Sequence, residues 1–182
     1  EVGVFGRHRE REQALQREIS AALRYLVSEP AGIAQQLRTA DLVVGGVLLR
    51  GAKAPRLVSE SMVAAMQPGS VIVDVSIDQG GCVETSRPTT HSDPVFVSHG
   101  VTHYCVANMP GAYPRTSTLA LTTATLPFVE RLAAGGIDAL RADPAFARGV
   151  NTLAGFIACE AVAQGLGMEA RYREFAAAAQ SA

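Results

Sequence analysis

Residues 70–75 read Ser-Val-Ile-Val-Asp-Val and form the clearest buried strand in the sequence. Apolar side chains at successive positions are typical of a strand that is covered on both faces of a parallel sheet. Residues 41–46, Asp-Leu-Val-Val-Gly-Gly, repeat this pattern and end on glycines. Between the two strands, Ser59 is a suitable N-cap for a helix that contains Met62. Alternating strands and helices predict an α/β fold with right-handed crossovers.

The flanking segments extend the alternation in both directions. Residues 2–5 predict a strand, and Arg9 to Leu26 predict one helix because apolar residues recur at spacings of three and four. Pro30 starts a further helix. Short strands are expected at 95–97 and 103–106, a long helix at 116–132, and closing helices at 158–166 and 169–179. The change of character near Pro110 is the best internal boundary.

Composition and charge exclude several classes of protein. The 182 residues are 48% hydrophobic and 18% charged, with a net charge of −1, so nothing favours disorder or nucleic-acid binding. We expect no membrane span and no signal peptide. The three cysteines predict a reducing cytoplasm, and the four histidines lack metal-ligand spacing, so no metal site is expected. Because a strand begins at the first residues, we expect the chain to be part of a longer protein.

Chemistry-bearing residues cluster after the predicted strands. Ligands of open parallel sheets bind beyond the carboxyl ends of the strands, and glycines there let a ligand approach the backbone. The alternative is that these glycines only end strands. Asp78 could bind a sugar hydroxyl or order a substrate or a water, or it could form an Asx turn. Asp74, inside the strand, is interpreted as structural. The glycine-rich GxGxxG loop is missing from the sequence.

Several long motifs resemble bacterial alanine dehydrogenase. The resemblance runs from about residue 1 to Met168. The proton-translocating transhydrogenase shares the superfamily fold, but its loops read differently. The motifs are Asp41 to Leu48, Gly51 to Pro55, Val73 to Cys82, Ser86 to His91, Tyr104 to Pro110 and Pro114 to Thr118.

The resemblance implies a fold, a reaction and partners. Residues 1–110 correspond to the later part of a Rossmann NAD(P)-binding domain with a parallel sheet, and residues 111–182 to C-terminal helices of a second, substrate domain. The reaction is the reversible oxidative deamination of L-alanine to pyruvate and ammonia with NAD, in a cytoplasmic homo-oligomer that is a hexamer in the family. The substrate-binding Arg and Lys, the catalytic His and the glycine-rich loop belong to the family's N-terminal half. We therefore predict that residues 1–182 alone are inactive.

The resemblance also implies site residues. Asp78 matches the catalytic aspartate, which would position or activate the amine or the attacking water. Ser28 matches a serine near the adenine and Arg11 a basic residue near the adenosine. The full set implied to bind the cofactor is Gly6, Arg7, Arg11, Ser28, Val47, Leu48, Val75, Ser76, Ile77, Asp78, Val106, Ala107, Asn108 and Met109.

One position departs from the family. An acidic residue normally ends the first strand seen here, where it binds the ribose 2′-hydroxyl and repels a 2′-phosphate. This chain has Gly6, followed by Arg7 and His8, which is compatible with NADP as well as NAD. The alternative to an NADP site is that this loop has diverged in a non-functional or partial chain and has no role in cofactor choice. Two further functions stay open, namely a non-catalytic chain (a truncated product or a binding partner that keeps the oligomer-forming face) and a related dehydrogenase with a changed substrate.

Overall fold

The computed structural model describes residues 1–49 and 51–180. The chain divides into two compact units. The first unit is Glu1–Val47 with Ala54–Ala107, and the second comprises the described residues within Leu48–Lys53 and Asn108–Ala182. The division of function between residues 1–110 and 111–182 stays a prediction.

The first unit contains two sheets. Four strands form one sheet in the order β3-β4-β6-β5, in which β3, β4 and β6 run parallel and β5 is antiparallel to β6. The other sheet is the parallel pair of β1 and β2. The strands are β1 (Gly3–Gly6), β2 (Arg24–Val27), β3 (Leu42–Gly45), β4 (Val71–Asp74), β5 (Val95–Ser98) and β6 (Val101–Tyr104). The strands predicted around 2–5, 41–46, 70–75 and 95–97 are confirmed, while the last strand begins and ends two residues earlier than predicted.

Helices α1 (Glu12–Glu18), α2 (Pro30–Leu37) and α3 (Glu60–Ala64) complete the first unit. Pro30 begins α2 because a helix needs no amide hydrogen bond at its first position. The hydroxyl of Ser59 accepts a hydrogen bond from the amide of Met62, as predicted for an N-cap. The shared core includes fully buried Ile72 of β4 and Val63 of α3. Burial of one such side chain stabilises the fold by about 1.5–3 kcal/mol.

The predicted helix from Arg9 to Leu26 is wrong in its second half. A 3-10 turn at Arg9–Arg11 leads into α1, which ends at Glu18, and Arg24–Val27 form β2. The helical spacing of apolar residues runs on by coincidence through the connection. Tyr25, Leu26 and Val27 are aromatic, large and β-branched residues that fit a pleated surface, and pairing with β1 decides their conformation.

The second unit is mostly helical. Its helices are α4 (Pro114–Arg141), α5 (Pro144–Ala147), α6 (Glu160–Leu166) and α7 (Phe175–Ala178). Helix α4 confirms the long helix predicted at 116–132 and is broken at Gly136, whose φ is 53°. A hairpin of β7 (Thr152–Leu153) and β8 (Phe156–Ile157) was not predicted. The continuous helix predicted at 169–179 is wrong, since only a 3-10 turn at Glu169–Arg171 and α7 form there.

Candidate functional site

The carboxyl ends of β3, β4 and β6 lie along one edge of the four-stranded sheet. Gly45 of β3 is in register with Asp74 of β4, and Val73 of β4 with Tyr104 of β6. The residues that follow these strands are therefore neighbours at this edge, where open parallel sheets bind ligands. The segments brought together are Val47, the 3-10 turn Val75–Gln79, and Val106 with Ala107. We call this edge the strand-end site.

The 3-10 turn Val75–Gln79 divides its side chains between the interior and the surface. Ser76 and Ile77 are buried, whereas Val75 and Asp78 are exposed. The four predicted cofactor contacts on this turn therefore differ in their access to a ligand. The buried side chains of Ser76 and Ile77 shape the turn, whereas Val75 and Asp78 are accessible to a ligand.

Ser76 fixes the distance between the ends of β3 and β4. Its hydroxyl donates to the carbonyl of Val47 at 3.0 Å and accepts from the amide of Val47 at 2.7 Å. A single side chain therefore satisfies both backbone groups of a residue that lies beyond the end of its strand. Val47 and the turn that carries Asp78 are held together as one piece of the strand-end site.

The third segment of the site comes from β6. Val106 is fully buried and forms a bridge to Thr89, whereas Ala107 is exposed. Ala107 also donates its amide to the carbonyl of Thr89 at 3.1 Å, which fixes the backbone beyond β6. Of these two predicted cofactor contacts, only Ala107 presents its side chain to solvent.

Three other predicted cofactor residues belong to the second unit. They are Leu48, which is exposed, Asn108, which has a left-handed backbone with φ of 55°, and Met109, which begins a 3-10 turn. A left-handed conformation is tolerated better by asparagine than by most other residues. Their proposed contact with the cofactor stays a prediction.

The ends of β1 and β2 bring together a second group of predicted residues. The amide of Ser28 donates to the carbonyl of Gly6 at 2.9 Å, so both lie at the same end of this parallel pair. Arg7 follows directly and is exposed. Arg11 lies at the end of the 3-10 turn and is also exposed. We call these residues the β1–β2 end.

Tyr25 occupies the space beside Gly6. A Cβ atom built on Gly6 would lie 2.8 Å from Cζ of Tyr25 and closer still to its hydroxyl. The same hydroxyl accepts a hydrogen bond from the amide of His8 at 3.1 Å. A side chain at position 6 therefore requires Tyr25 to move. Sequence reasoning missed this contact because Tyr25 stood inside the mispredicted helix, although its Tyr-Leu-Val run is typical of a strand.

The positive charge near Gly6 is partly neutralised. Nδ1 of His8 lies 3.1 Å from Oε1 of Glu10, and Nε of Arg9 lies 3.9 Å from a carboxylate oxygen of Glu12. Both pairs lie at the surface, with only Glu12 partly buried, and contribute little stability. Arg7 is consequently the basic residue best placed to give the β1–β2 end a phosphate-binding character.

Burial alters the chemistry of groups beneath the strand-end site. Burial, assisted by the charge of Asp74, raises the pKa of the Cys82 thiol to about 11. Burial likewise lowers the pKa of the His103 imidazole. Among the residues described, no three His, Cys, Asp or Glu side chains are placed to hold a metal ion. No helix within 1–49 or 51–180 has the length and apolar character needed to cross a membrane.

The chain is similar to known proteins in sequence and in structure. The family model "Alanine dehydrogenase/PNT, C-terminal domain" matches residues 1–160. Alanine dehydrogenase of Lysinibacillus sphaericus is 51% identical over 170 residues, which are 92% of this chain and 46% of that protein. The Bacillus subtilis enzyme is 53% identical over 149 residues, covering 81% of this chain and 39% of that protein.

Solved structures give the same relationship. An L-alanine dehydrogenase matches with a TM-score of 0.78 and 45% identity, over 92% of this chain and 46% of that one. A transhydrogenase from Sinorhizobium meliloti matches with a TM-score of 0.60 and 25% identity, over 71% of this chain and 36% of that one. The chain spans about half the length of the curated relatives it matches. With its mixed α/β fold and matching sequence, the chain belongs to the alanine dehydrogenase/PNT family and corresponds to its C-terminal domain.

Proposed function

We propose that this chain is the C-terminal part of an alanine dehydrogenase that converts L-alanine reversibly to pyruvate and ammonia with NAD or NADP. The observation that carries the proposal is the exposed Asp78, on a turn just beyond the parallel strand β4. The chain around it is 51% identical over 170 residues to a protein named alanine dehydrogenase. The ends of parallel strands are where this class of fold places its ligands.

The strand-end site has the character that a nicotinamide cofactor requires. Gly46 follows β3, and a Cβ atom there would have no heavy atom within 4 Å, so a ligand can reach the backbone. Val75 is 50% exposed and offers an apolar surface for a flat ring. The β1–β2 end, with Gly6, Arg7 and Ser28, would hold the adenosine part. When bound, the cofactor supplies the hydride chemistry.

Asp78 acts on the amino group in this proposal. Its carboxylate accepts hydrogen bonds, so it can orient the substrate ammonium or the water that attacks later, and it can take or return a proton at Oδ1 or Oδ2. Burial of Ser76 and Ile77 on the same turn limits the movement of Asp78. Fixed placement of a reacting group lowers the barrier because less orientational freedom has to be lost.

The proposed setting is a cytoplasmic homo-oligomer. All three cysteines are free thiols, which supports a reducing compartment. Helix α4 exposes large apolar side chains, including Leu121 at 65% and Val129 at 58%, which supports its burial against more protein. The hexamer implied by the resemblance is tested by light scattering of the purified full-length protein.

The direct experiment measures reduced nicotinamide formed by the full-length protein with L-alanine and either cofactor. We expect saturable turnover with L-alanine and the reverse reaction with pyruvate, ammonia and reduced cofactor. Glycine, L-serine and L-valine provide the comparison for a changed substrate. A folded protein that turns over none of these amino acids would favour the non-catalytic alternative, and preference for another amino acid would favour the related dehydrogenase.

A further inference from the structure

We propose that Asp74 is a positioning residue, whose buried carboxylate ties the two ends of the Asp78 loop to β4 and thereby sets the place of the Asp78 carboxylate. The inference rests on the proposed function, because it assumes that Asp78 acts on the substrate. Asp74 itself has no exposed surface and does not reach the ligand side of the strand-end site.

The two carboxylate oxygens of Asp74 bind opposite ends of the loop. Oδ1 accepts from the amide of Ser76 at 3.1 Å, at the start of the 3-10 turn. Oδ2 accepts from the amides of Cys82 at 3.0 Å and Val83 at 3.2 Å, beyond the end of the turn. Asp78 lies between these anchors, two residues after Ser76 and four before Cys82. The carboxylate of Asp74 thus closes a ring of backbone that carries the exposed, proposed catalytic group.

The surroundings of Asp74 leave room for this carboxylate and little else. A Cβ atom on Gly81, whose φ is 78°, would lie 2.8 Å from Oδ2 of Asp74. The thiol of Cys82 lies 3.5 Å from Oδ1 and packs against Gly45 of β3. Two glycines are therefore needed at positions where any side chain would push on the carboxylate or on the thiol that contacts it.

The backbone amides that bind Asp74 require a hydrogen-bond acceptor at both of its carboxylate oxygens. A buried charge is costly unless hydrogen bonds compensate it, and three backbone amides do so here. Asp74→Asn keeps only one accepting oxygen, which can serve either the amide of Ser76 or the amides of Cys82 and Val83. The new NH2 group then faces backbone donors at the other end, and a donor opposite a donor releases that end of the loop.

The second end of the loop has other contacts that preserve the fold when Asp74 is changed. The amide of Leu57 donates to the carbonyl of Cys82 at 2.8 Å, and Ala54 donates to Gln79 at 2.9 Å. Arg56 also donates to the carbonyl of Val83. Loss of the Asp74 contacts should therefore shift the turn rather than unfold the first unit.

The experiment compares wild type, Asp74→Asn and the matched control Asp93→Asn in the full-length protein. Asp93 is an exposed aspartate in the loop between Ser86 and β5, so its variant loses the same charge without a buried contact. The measurements are kcat, KM for L-alanine and for the cofactor, thermal stability, and amide hydrogen exchange of residues 76–83.

We expect Asp74→Asn to lower kcat about 10- to 100-fold, because small misplacement of a reacting group is costly, while both KM values change less than about threefold. Amide exchange should accelerate at one end of the loop, either at Ser76 or at Cys82 and Val83, and Asp93→Asn should match wild type. A folded Asp74→Asn protein with unchanged kcat overturns the proposal. Equal loss in kcat and in cofactor affinity also overturns it, because that result assigns Asp74 to the general stability of the unit.

A second variant covers failure of Asp74→Asn to fold. Gly81→Ala places a Cβ atom against Oδ2 and strains the backbone at its φ of 78°, so it should displace the same loop and also lower kcat more than it changes either KM. Failure of both variants to fold assigns Asp74 to folding alone and overturns the proposal. If wild type shows no turnover with L-alanine, the proposed function fails, whereas the exchange measurement still tests whether Asp74 holds the loop.

Discussion

The hydroxyl of Thr85 lies 2.7 Å from Nε2 of His103, a completely buried histidine on β6. Nδ1 of His103 lies 3.0 Å from the carbonyl of Val101, and the ring stacks on Phe96 with centroids 4.8 Å apart. Because a carbonyl only accepts, Nδ1 carries the proton and Nε2 accepts from Thr85. The contacts select one neutral tautomer of the imidazole, in keeping with a pKa that burial lowers.

The neutral state of His103 predicts acid-sensitive stability. A folded-state pKa below the unfolded value means that the unfolded chain binds the proton first as the pH falls. The stabilisation is present above about pH 6.5, the ordinary histidine pKa, and is lost as the pH falls towards the folded value. Urea unfolding at several pH values should show this loss. Substitution His103→Gln should make the free energy of unfolding depend less steeply on pH in this range. An unchanged dependence on pH would assign the acid sensitivity to other groups.

The thiols should differ in reactivity. Burial raises the pKa of Cys105, and burial with the charge of Asp74 raises that of Cys82 to about 11. Thiolates are the reactive form, so neither thiol should react in the native protein, whereas Cys159 is partly exposed. With a disulfide reagent that titrates thiols, one thiol of residues 1–182 should react rapidly in the native protein, and all three should react after unfolding. Cys159→Ser should remove the fast phase, and rapid reaction of two or three thiols would contradict the buried placement.

Strands were predictable where the sequence has a continuous apolar run. The runs around β3 and β4 are such cases, and the sheet forms there. The expected burial on both faces is wrong for β3, where Leu42 and Val44 are exposed. The hairpin β7–β8 was not predictable, because two-residue strands are too short for a periodic pattern. Its turn has a positive φ at Ala154 (48°) and Gly155 (81°), and only the glycine gave a signal for it.

The candidate site was predictable in part. The structural interpretation of Asp74 is confirmed, since its carboxylate binds neighbouring backbone. The sequence could not show that these contacts reach Val83, nine residues further on, because the path of a loop depends on tertiary contacts. The closeness of Gly6 and Tyr25 was likewise hidden, because it exists only through the pairing of β1 with β2.

Asp78→Asn should abolish most turnover of the full-length protein and leave cofactor binding largely intact. The amide keeps the size of the side chain and loses its charge and basicity, and general acid–base groups commonly contribute about 10²- to 10⁴-fold. The side chain is exposed, so the fold should not suffer. Steady-state kinetics and cofactor titration measure the two effects. Loss of cofactor affinity with unchanged turnover per bound site would make Asp78 a structural residue.

Residues 1–182 alone should show negligible alanine-dependent reduction of either cofactor. The resemblance assigns the substrate-binding Arg and Lys, the catalytic His and the glycine-rich loop to the family's other half, and pyrophosphate binding in such folds depends on that loop. The purified full-length protein assayed alongside is the positive control. Saturable turnover by residues 1–182, removed by Asp78→Asn, would show that the chain needs no further residues.

The choice of cofactor should depend on Gly6, Arg7 and Tyr25. Gly6 lacks the acidic group that repels a 2′-phosphate, and Arg7 offers a planar guanidinium for two phosphate contacts. We expect the full-length protein to use NADP at least as efficiently as NAD. One charge-assisted hydrogen bond contributes roughly 1.5–3 kcal/mol, so Arg7→Ala should lower the efficiency with NADP by about tenfold or more.

Restoring NAD preference should need two substitutions. Gly6→Asp alone forces the new side chain against Tyr25, and such overpacking commonly costs about 1–3 kcal/mol of stability. Gly6→Asp combined with Tyr25→Val leaves space for the carboxylate, which can then bind the ribose hydroxyls and oppose a phosphate. The ratio of kcat/KM for the two cofactors is the measurement, with Tyr25→Val as the matched control. Strong NAD preference in the unmodified protein, unmoved by Arg7→Ala, would mean that residues 6–8 are a drifted loop without a role in cofactor choice.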